Sequence, residues 1–297
     1  MKILISHLPK HKWWGHGTPI YENNPAMKEG VVPNQELVEI EMYMMTKLFN
    51  RLPIEIIEID FPSFLDQQNK EKRKHDFVFV RDLFISDQNG KTIISKFREK
   101  ARQVEADIMQ IMLESMGYET KRIPDDSAAT AEGGEFYYCP GDKVLFSGAC
   151  RNNIEGAEWV AKEFNVDELV IMKSKIFHID TLFTPVINKE NKLVAAIACT
   201  ELIERDSVDN LRQFAIRKNI ELIEVGPEDA VGTDQELGEF AVNCEPLPGY
   251  LIGPTRFRSK KVLPLLKELD VMHITCLLYT SDAADERSSV DLGGRRI

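Results

Sequence analysis

The 297-residue sequence has no apolar run near the roughly 20 residues that a membrane helix needs, so a membrane span is not expected. Cysteine is scarce. Cys139, Cys150, Cys199, Cys244 and Cys276 are odd in number and form no CxxC pair. That pattern argues against a disulfide framework and favours a reducing, cytoplasmic compartment. The segment up to Trp14 holds only the short apolar stretch Ile3-Leu4-Ile5 and no small-residue cleavage site, so it does not read as a signal peptide. No Lys/Arg-rich run occurs and the net charge is −11, which disfavours nucleic acid and anionic membranes as partners. The six histidines are scattered, with no HExxH and no paired-Cys site, so no metal is expected. GxSxG and SxxK are missing too. Glu132-Gly133-Gly134-Glu135 lacks the spacing of a dinucleotide fingerprint.

What the sequence does have is a regular alternation of strands and helices. Lys2–His7 reads as a strand, 15–33 as a long Gly/Pro/Asn-rich loop, and 34–49 as a helix with Leu37, Ile40, Met44 and Leu48 at helical spacing. Strands are expected at 54–59, 77–80, 91–95 and 119–123. A helix is expected at about 98–116, with Ala101, Val104, Ile108 and Ile111 on one face. A hairpin pairs 136–138 with 144–146 around Pro140-Gly141. A helix at 153–164 carries the stripe Ala157, Val160, Ala161 and Phe164. Strands follow near 168–172, 193–198, 220–225, 250–253 and 271–275, with helices near 207–217 and 258–268. The repeating unit is two strands, a helix and a strand, recurring about every 50–60 residues. Such a repeat favours a ring of α/β units over one doubly wound sheet.

Some polar residues suit chemistry on a cation. Asp76 and Asp82 bracket the expected strand 77–80 with the same parity. They suit either two solvated strand-end acids or a paired grip on a planar guanidinium. The glycines after Glu132 suit a turn, or a close backbone approach to a ligand. His178 is either a satisfied structural histidine or a general acid/base oriented by a carboxylate such as Glu132. Asp180 shares its parity in an extended reading. Arg151 is either a helix-start surface residue, with Asn153 as cap, or a clamp for a substrate carboxylate.

Taken in order, HDFVFVRD (75–82), AEGGEF (131–136), ACRNNIEGAE (149–158), IFHIDT (176–181) and AVNC (241–244) resemble the guanidino-group-modifying superfamily. The likeness is nearest to dimethylarginine dimethylaminohydrolase, with arginine deiminase close by. It implies an α/β fold, the five-bladed ββαβ propeller called the pentein fold, over residues 1–275 as one domain with a truncated last unit. It also implies a small guanidino substrate, no cofactor, and attack by a cysteine thiolate. A histidine serves both halves of the reaction, and citrulline is the product. On this resemblance His178 is the catalytic histidine and Glu132 the acid that orients it. Asp76, Asp82 and Asp180 bind the guanidinium, Arg151 binds the substrate carboxylate, and Lys96 falls near a second basic position. An amidinotransferase, or a non-catalytic arginine-binding protein on the same fold, stays open.

Residues 276–297, CLLYTSDAADERSSVDLGGRRI, show no helical stripe or strand alternation and resemble a translated sequencing adapter. Cys276 comes directly after the expected last strand, without the glycine pair that precedes the family's nucleophile. The expectation is that the chain as written lacks that nucleophile, that its natural gene encodes one, and that one sheet edge is left unpaired.

Overall fold

A computed structural model describes residues 2–11, 34–71, 75–233, 236–275 and the backbone of 295–296. The expected loop 15–33 and Cys276 lie outside the described residues. The chain divides into two compact units, Met1–Arg122 with Cys276–Ile297, and Ile123–Thr275.

In the first unit, β1 (Lys2–Ser6) pairs in parallel with β2 (Glu55–Ile59), and the helix Gln35–Phe49 lies between them in sequence. β15 (Arg295–Arg296) adds an antiparallel pair to β1. A second sheet has β4 (Lys91–Ile94) at its centre, antiparallel to β3 (Phe84–Ser86) and parallel to β5 (Glu119–Arg122). The helix Gln103–Ser115 makes the crossover that a parallel pair requires. Phe77, Phe84 and Phe97 are fully buried in this unit's core, and each contributes about 1.5–3 kcal/mol of apolar burial.

The second unit repeats the pattern three times. β6 (Phe136–Cys139), β7 (Val144–Gly148) and β8 (Glu168–Met172) form one sheet, with the helix Ile154–Phe164 as crossover. β9 (Phe183–Ile187), β10 (Leu193–Ala198) and β11 (Glu221–Glu224) form the next, with the helix Arg205–Lys218. β12 (Glu245–Leu247), β13 (Tyr250–Gly253) and β14 (Met272–Thr275) form the last, with the helix Val262–Glu268. Each central strand is antiparallel to the strand before it and parallel to the strand after it. A single doubly wound sheet is therefore excluded among the described residues. The last sheet has its full three strands, so it is not the short one; the first sheet is, since β15 gives it only two residues.

Two helix faces differ from the expected stripes. In Gln35–Phe49 the buried residues are Val38, Met45 and Phe49, and Ile40 is 54% exposed. At 100° per residue Ile40 points about 200° from Val38, while Leu37, Met44 and Leu48 flank the buried centre. In Gln103–Ser115 the buried face is Glu105, Ala106, Met109 and Leu113, and Ile111 is exposed. The stripe Ala157, Val160, Ala161 and Phe164 is buried as expected, and the Asn153 side chain caps that helix by accepting from Gly156 N.

The expected strand 77–80 is not a strand. Phe77 and Val78 lie in a turn, and Val80–Leu83 is a short helix leading into β3. The run Phe77-Val78-Phe79-Val80 is apolar because it fills the core, and that does not require an extended backbone.

Candidate active site

In the first unit, the segment leading into β3 carries Asp76, just before the turn, and Asp82, in the short helix Val80–Leu83; they are 6% and 3% exposed. The parity argument for them fails with the strand. They are instead held by one helix start. Arg102 Nη1 donates to Asp82 Oδ2 at 2.6 Å, and its Nη2 donates to the Asp76 carbonyl at 3.3 Å. Arg102 Nε and Nη2 also donate to Glu105 Oε2 at 3.1 and 3.0 Å. Glu105 Oε1 accepts from Asp76 N at 3.0 Å and lies 3.5 Å from His75 Nδ1. Ser95 Oγ donates to the Asp82 carbonyl at 2.6 Å. The guanidinium of Arg102 lies over the Phe97 ring, 4.8 Å from its centroid. Lys96, half-buried, stands between Ser95 and Phe97 just after β4. Sequence reasoning missed Arg102 and Glu105. Their signal was an Arg and a Glu three residues apart at a helix start, a spacing that puts both on one face.

In the second unit, three loops meet. Glu132 precedes the 3-10 turn Gly133–Glu135 that enters β6. The loop after β7 carries Cys150, Arg151 and Asn152. His178 caps the 3-10 turn Ile179–Thr181 that precedes β9. His178 Nε2 lies 3.1 Å from Glu132 Oε2, and both side chains are buried. The Thr181 hydroxyl donates to the His178 carbonyl at 2.7 Å, which fixes the turn. Asp180 is 1% exposed and Arg151 5%. Asp180 is brought in by the turn and not by strand parity.

Further bonds between these loops run through Glu135 and Asn152, which the sequence reading left aside. Glu135 Oε1 accepts from Cys150 N at 3.1 Å and Arg151 N at 2.6 Å, and Oε2 accepts from Ile179 N at 2.8 Å. Asn152 Oδ1 accepts from Glu132 N at 2.7 Å, and Asn152 Nδ2 donates to Ser147 Oγ at 3.1 Å. Burial pushes the Glu135 carboxyl up to about 7, against the opposing pull of the His178 charge and the backbone N–H groups of Arg151 and Ile179; the nearby Glu132 charge raises it further.

Of the four described cysteines, only Cys150, in the loop after β7, is half-buried. Cys139, Cys199 and Cys244 are buried, and burial pushes the Cys199 thiol up to about 11. Cys244 Sγ donates to the Ala241 carbonyl at 3.1 Å, as a small core residue does. No helix among the described residues is long and apolar enough to cross a membrane.

Solved structures share this architecture. The N-terminal domain of ArgZ, an arginine dihydrolase from the ornithine-ammonia cycle in cyanobacteria, was solved as a cysteine mutant bound to substrate. It matches with a TM-score of 0.69 at 17% identity, over 92% of this chain and 90% of that one. DDAH from Pseudomonas aeruginosa, a cysteine mutant complexed with citrulline, matches with a TM-score of 0.65 at 15% identity, over 93% and 92%. A cysteine mutant of AgrE in a binary complex with L-arginine matches with a TM-score of 0.69 at 19% identity, over 92% of this chain and 36% of that one. No curated protein sequence matches the chain.

The repeated ββαβ sheets thus define an α/β protein of the pentein fold found in guanidino-modifying enzymes. Residues 22–239, more than half of the chain, match the model of the family described as "N,N dimethylarginine dimethylhydrolase, eukaryotic", and the chain belongs to that family. Membership supports guanidino-group hydrolysis as its general chemistry.

Proposed function

We propose that the protein binds the guanidinium of arginine or an N-methylated arginine, and that its reaction is hydrolysis to citrulline plus an amine or ammonia. The observation that carries this reading is the buried Glu132–His178 pair at 3.1 Å, supplied by the EGG and HxD segments of the matched family region. A carboxylate against one ring nitrogen fixes the imidazole's orientation and stabilises its protonated form. The same ring can then protonate a departing amine and afterwards take a proton from water.

The reading gives Asp76, Asp82 and Asp180 the guanidinium, Arg151 the substrate carboxylate and Lys96 a second contact to it, with residues 1–275 acting as one functional domain. A cysteine thiolate adds to the guanidinium carbon, and the C–N bond to the leaving amine breaks as His178 supplies the proton. Water then adds to the same carbon, the C–S bond breaks, and citrulline and thiolate are released. The thiolate belongs to a segment following β14, in whose place the adapter-like residues 276–297 stand. The chain as written therefore binds guanidines without turning them over. Small guanidines are the partners, no metal or cofactor takes part, and the compartment is the cytoplasm.

The test is calorimetric binding of L-arginine and N,N-dimethylarginine, alongside a citrulline assay. Binding without citrulline is the expected result. Substantial citrulline that Cys276→Ser abolishes would overturn the account of the nucleophile. Absence of binding to either ligand would overturn the guanidine reading. Ornithine released only with an amine acceptor present would assign amidino transfer instead.

A further inference from the structure

We infer that Glu135 is a positioning residue, whose buried carboxylate ties the Arg151 loop to the His178–Asp180 turn and so sets their spacing. The inference rests on the reading above, in which Arg151, His178 and Asp180 face the substrate.

A fully buried carboxylate is costly to keep. A core that needed only bulk at this position would be served better by an apolar side chain. Here the two oxygens are divided between two loops. Oε1 takes the N–H groups of Cys150 and Arg151, and Oε2 takes that of Ile179. The acid's own backbone closes the turn behind Glu132, with Glu135 N donating to the Glu132 carbonyl at 3.0 Å. One side chain thus joins the segment that orients His178, the segment that bears Arg151 and the segment that bears Asp180. Nothing smaller reaches both loops, and no neutral side chain offers two acceptors at that spacing.

The surroundings are fitted to this carboxylate. A Cβ on Gly148 would stand 1.7 Å from Oε2, so a glycine at the strand end makes room for the acid. The charged groups that face it are Glu132 and His178; burial raises its pKa to about 7, while the His178 charge and the N–H groups of Arg151 and Ile179 oppose the rise.

Glu135→Gln tests the role. The amide keeps the volume but has one acceptor oxygen, so its NH2 must face an N–H of one loop. Two ligands are titrated by calorimetry: L-arginine, and agmatine, which lacks the carboxylate assigned to Arg151. The variant is expected to bind arginine about tenfold more weakly or worse, and to lose less for agmatine, so the preference between the two narrows. Unchanged affinity for both, or equal loss for both, overturns the inference. Glu135→Asp keeps the charge but is one methylene short of spanning the loops, and the same narrowing is expected there. If neither variant folds, the wild-type chain decides. As pH is scanned, the Arg151 and Ile179 amide resonances should move together through one midpoint; separate midpoints or no movement overturn the tie. A wild-type chain that binds neither ligand sinks the functional reading, and the tie is then judged on those amides.

Discussion

Arg102 and Asp82 are 20 residues apart in sequence and joined by a 2.6 Å bond between Nη1 and Oδ2, both side chains buried. The same guanidinium holds Glu105, so one cation neutralises two buried acids of the first unit. Its removal takes that cation away from two buried carboxylates in a low-dielectric setting. Arg102→Ala is therefore expected to destabilise the fold by about 3–5 kcal/mol. Arg102→Lys keeps the charge but loses the planar fork that reaches Asp82, Glu105 and the Asp76 carbonyl together, and should lose a substantial part of that stability. Urea unfolding midpoints of the two variants against wild type check both statements.

Thiol reactivity should follow burial. Cys139, Cys199 and Cys244 are buried, and Cys150 is half-buried in the loop after β7. A thiol-selective disulfide reagent applied to the folded Cys276→Ser chain should modify Cys150 first. The other three should react only on unfolding, and for Cys199 burial also disfavours the reactive thiolate in the folded chain. Peptide mapping of the labelled chain checks the order. Fast labelling of Cys244 in the folded state would show that its pocket is open.

The response of stability to acid has two opposed contributors. Burial and the nearby Arg256 charge hold His273 down to about 4, below its usual 6.5. Between those values the unfolded chain takes up a proton that the folded chain refuses, so this contribution is lost as pH falls from 6.5 towards 4. Glu135 acts the other way. Its carboxyl is raised from 4.5 to about 7, so it favours the folded state increasingly as pH falls through that window. His273→Phe removes only the first effect. Relative to this variant, wild type should lose thermal stability steadily from pH 6.5 to 4. Thermal midpoints of both proteins across that range check the slope, and parallel curves would refute it.

Much of this was legible in the sequence. The ββαβ repeat was, because each helix begins after a central strand and returns the chain to a parallel partner, leaving alternating apolar patterns. Glu132 and His178 were singled out by the resemblance of their segments, AEGGEF and IFHIDT, to a known family rather than by the residues alone. The run Phe77–Val80, a turn leading into a short helix, was misread as a strand, since a short apolar run reports burial and not backbone shape. The helix stripes of Gln35–Phe49 and Gln103–Ser115 were displaced because apolar residues occur almost all round both helices, and only packing selects the buried arc. Arg102 and Glu135 escaped notice for a common reason. A charged residue is assumed to face water unless its partners are known, and those partners lie 20 and 44 residues away.

The placement of charges along the repeat has a consequence for how such a protein can change. Acids stand just ahead of the first strand of successive units: Asp82 before β3, Glu135 before β6, Asp180 before β9. Cations stand just past three of the five central strands: Lys96 after β4, Arg151 after β7, Arg256 after β13. The strands behave as a chassis, and the short segments at their ends as interchangeable sockets. New specificity can then arise by rewriting one socket while the hydrogen-bonded ladder behind it stays as it was. Altered preference among guanidines should arise by exchange of whole lead-in segments more readily than by single changes within a strand.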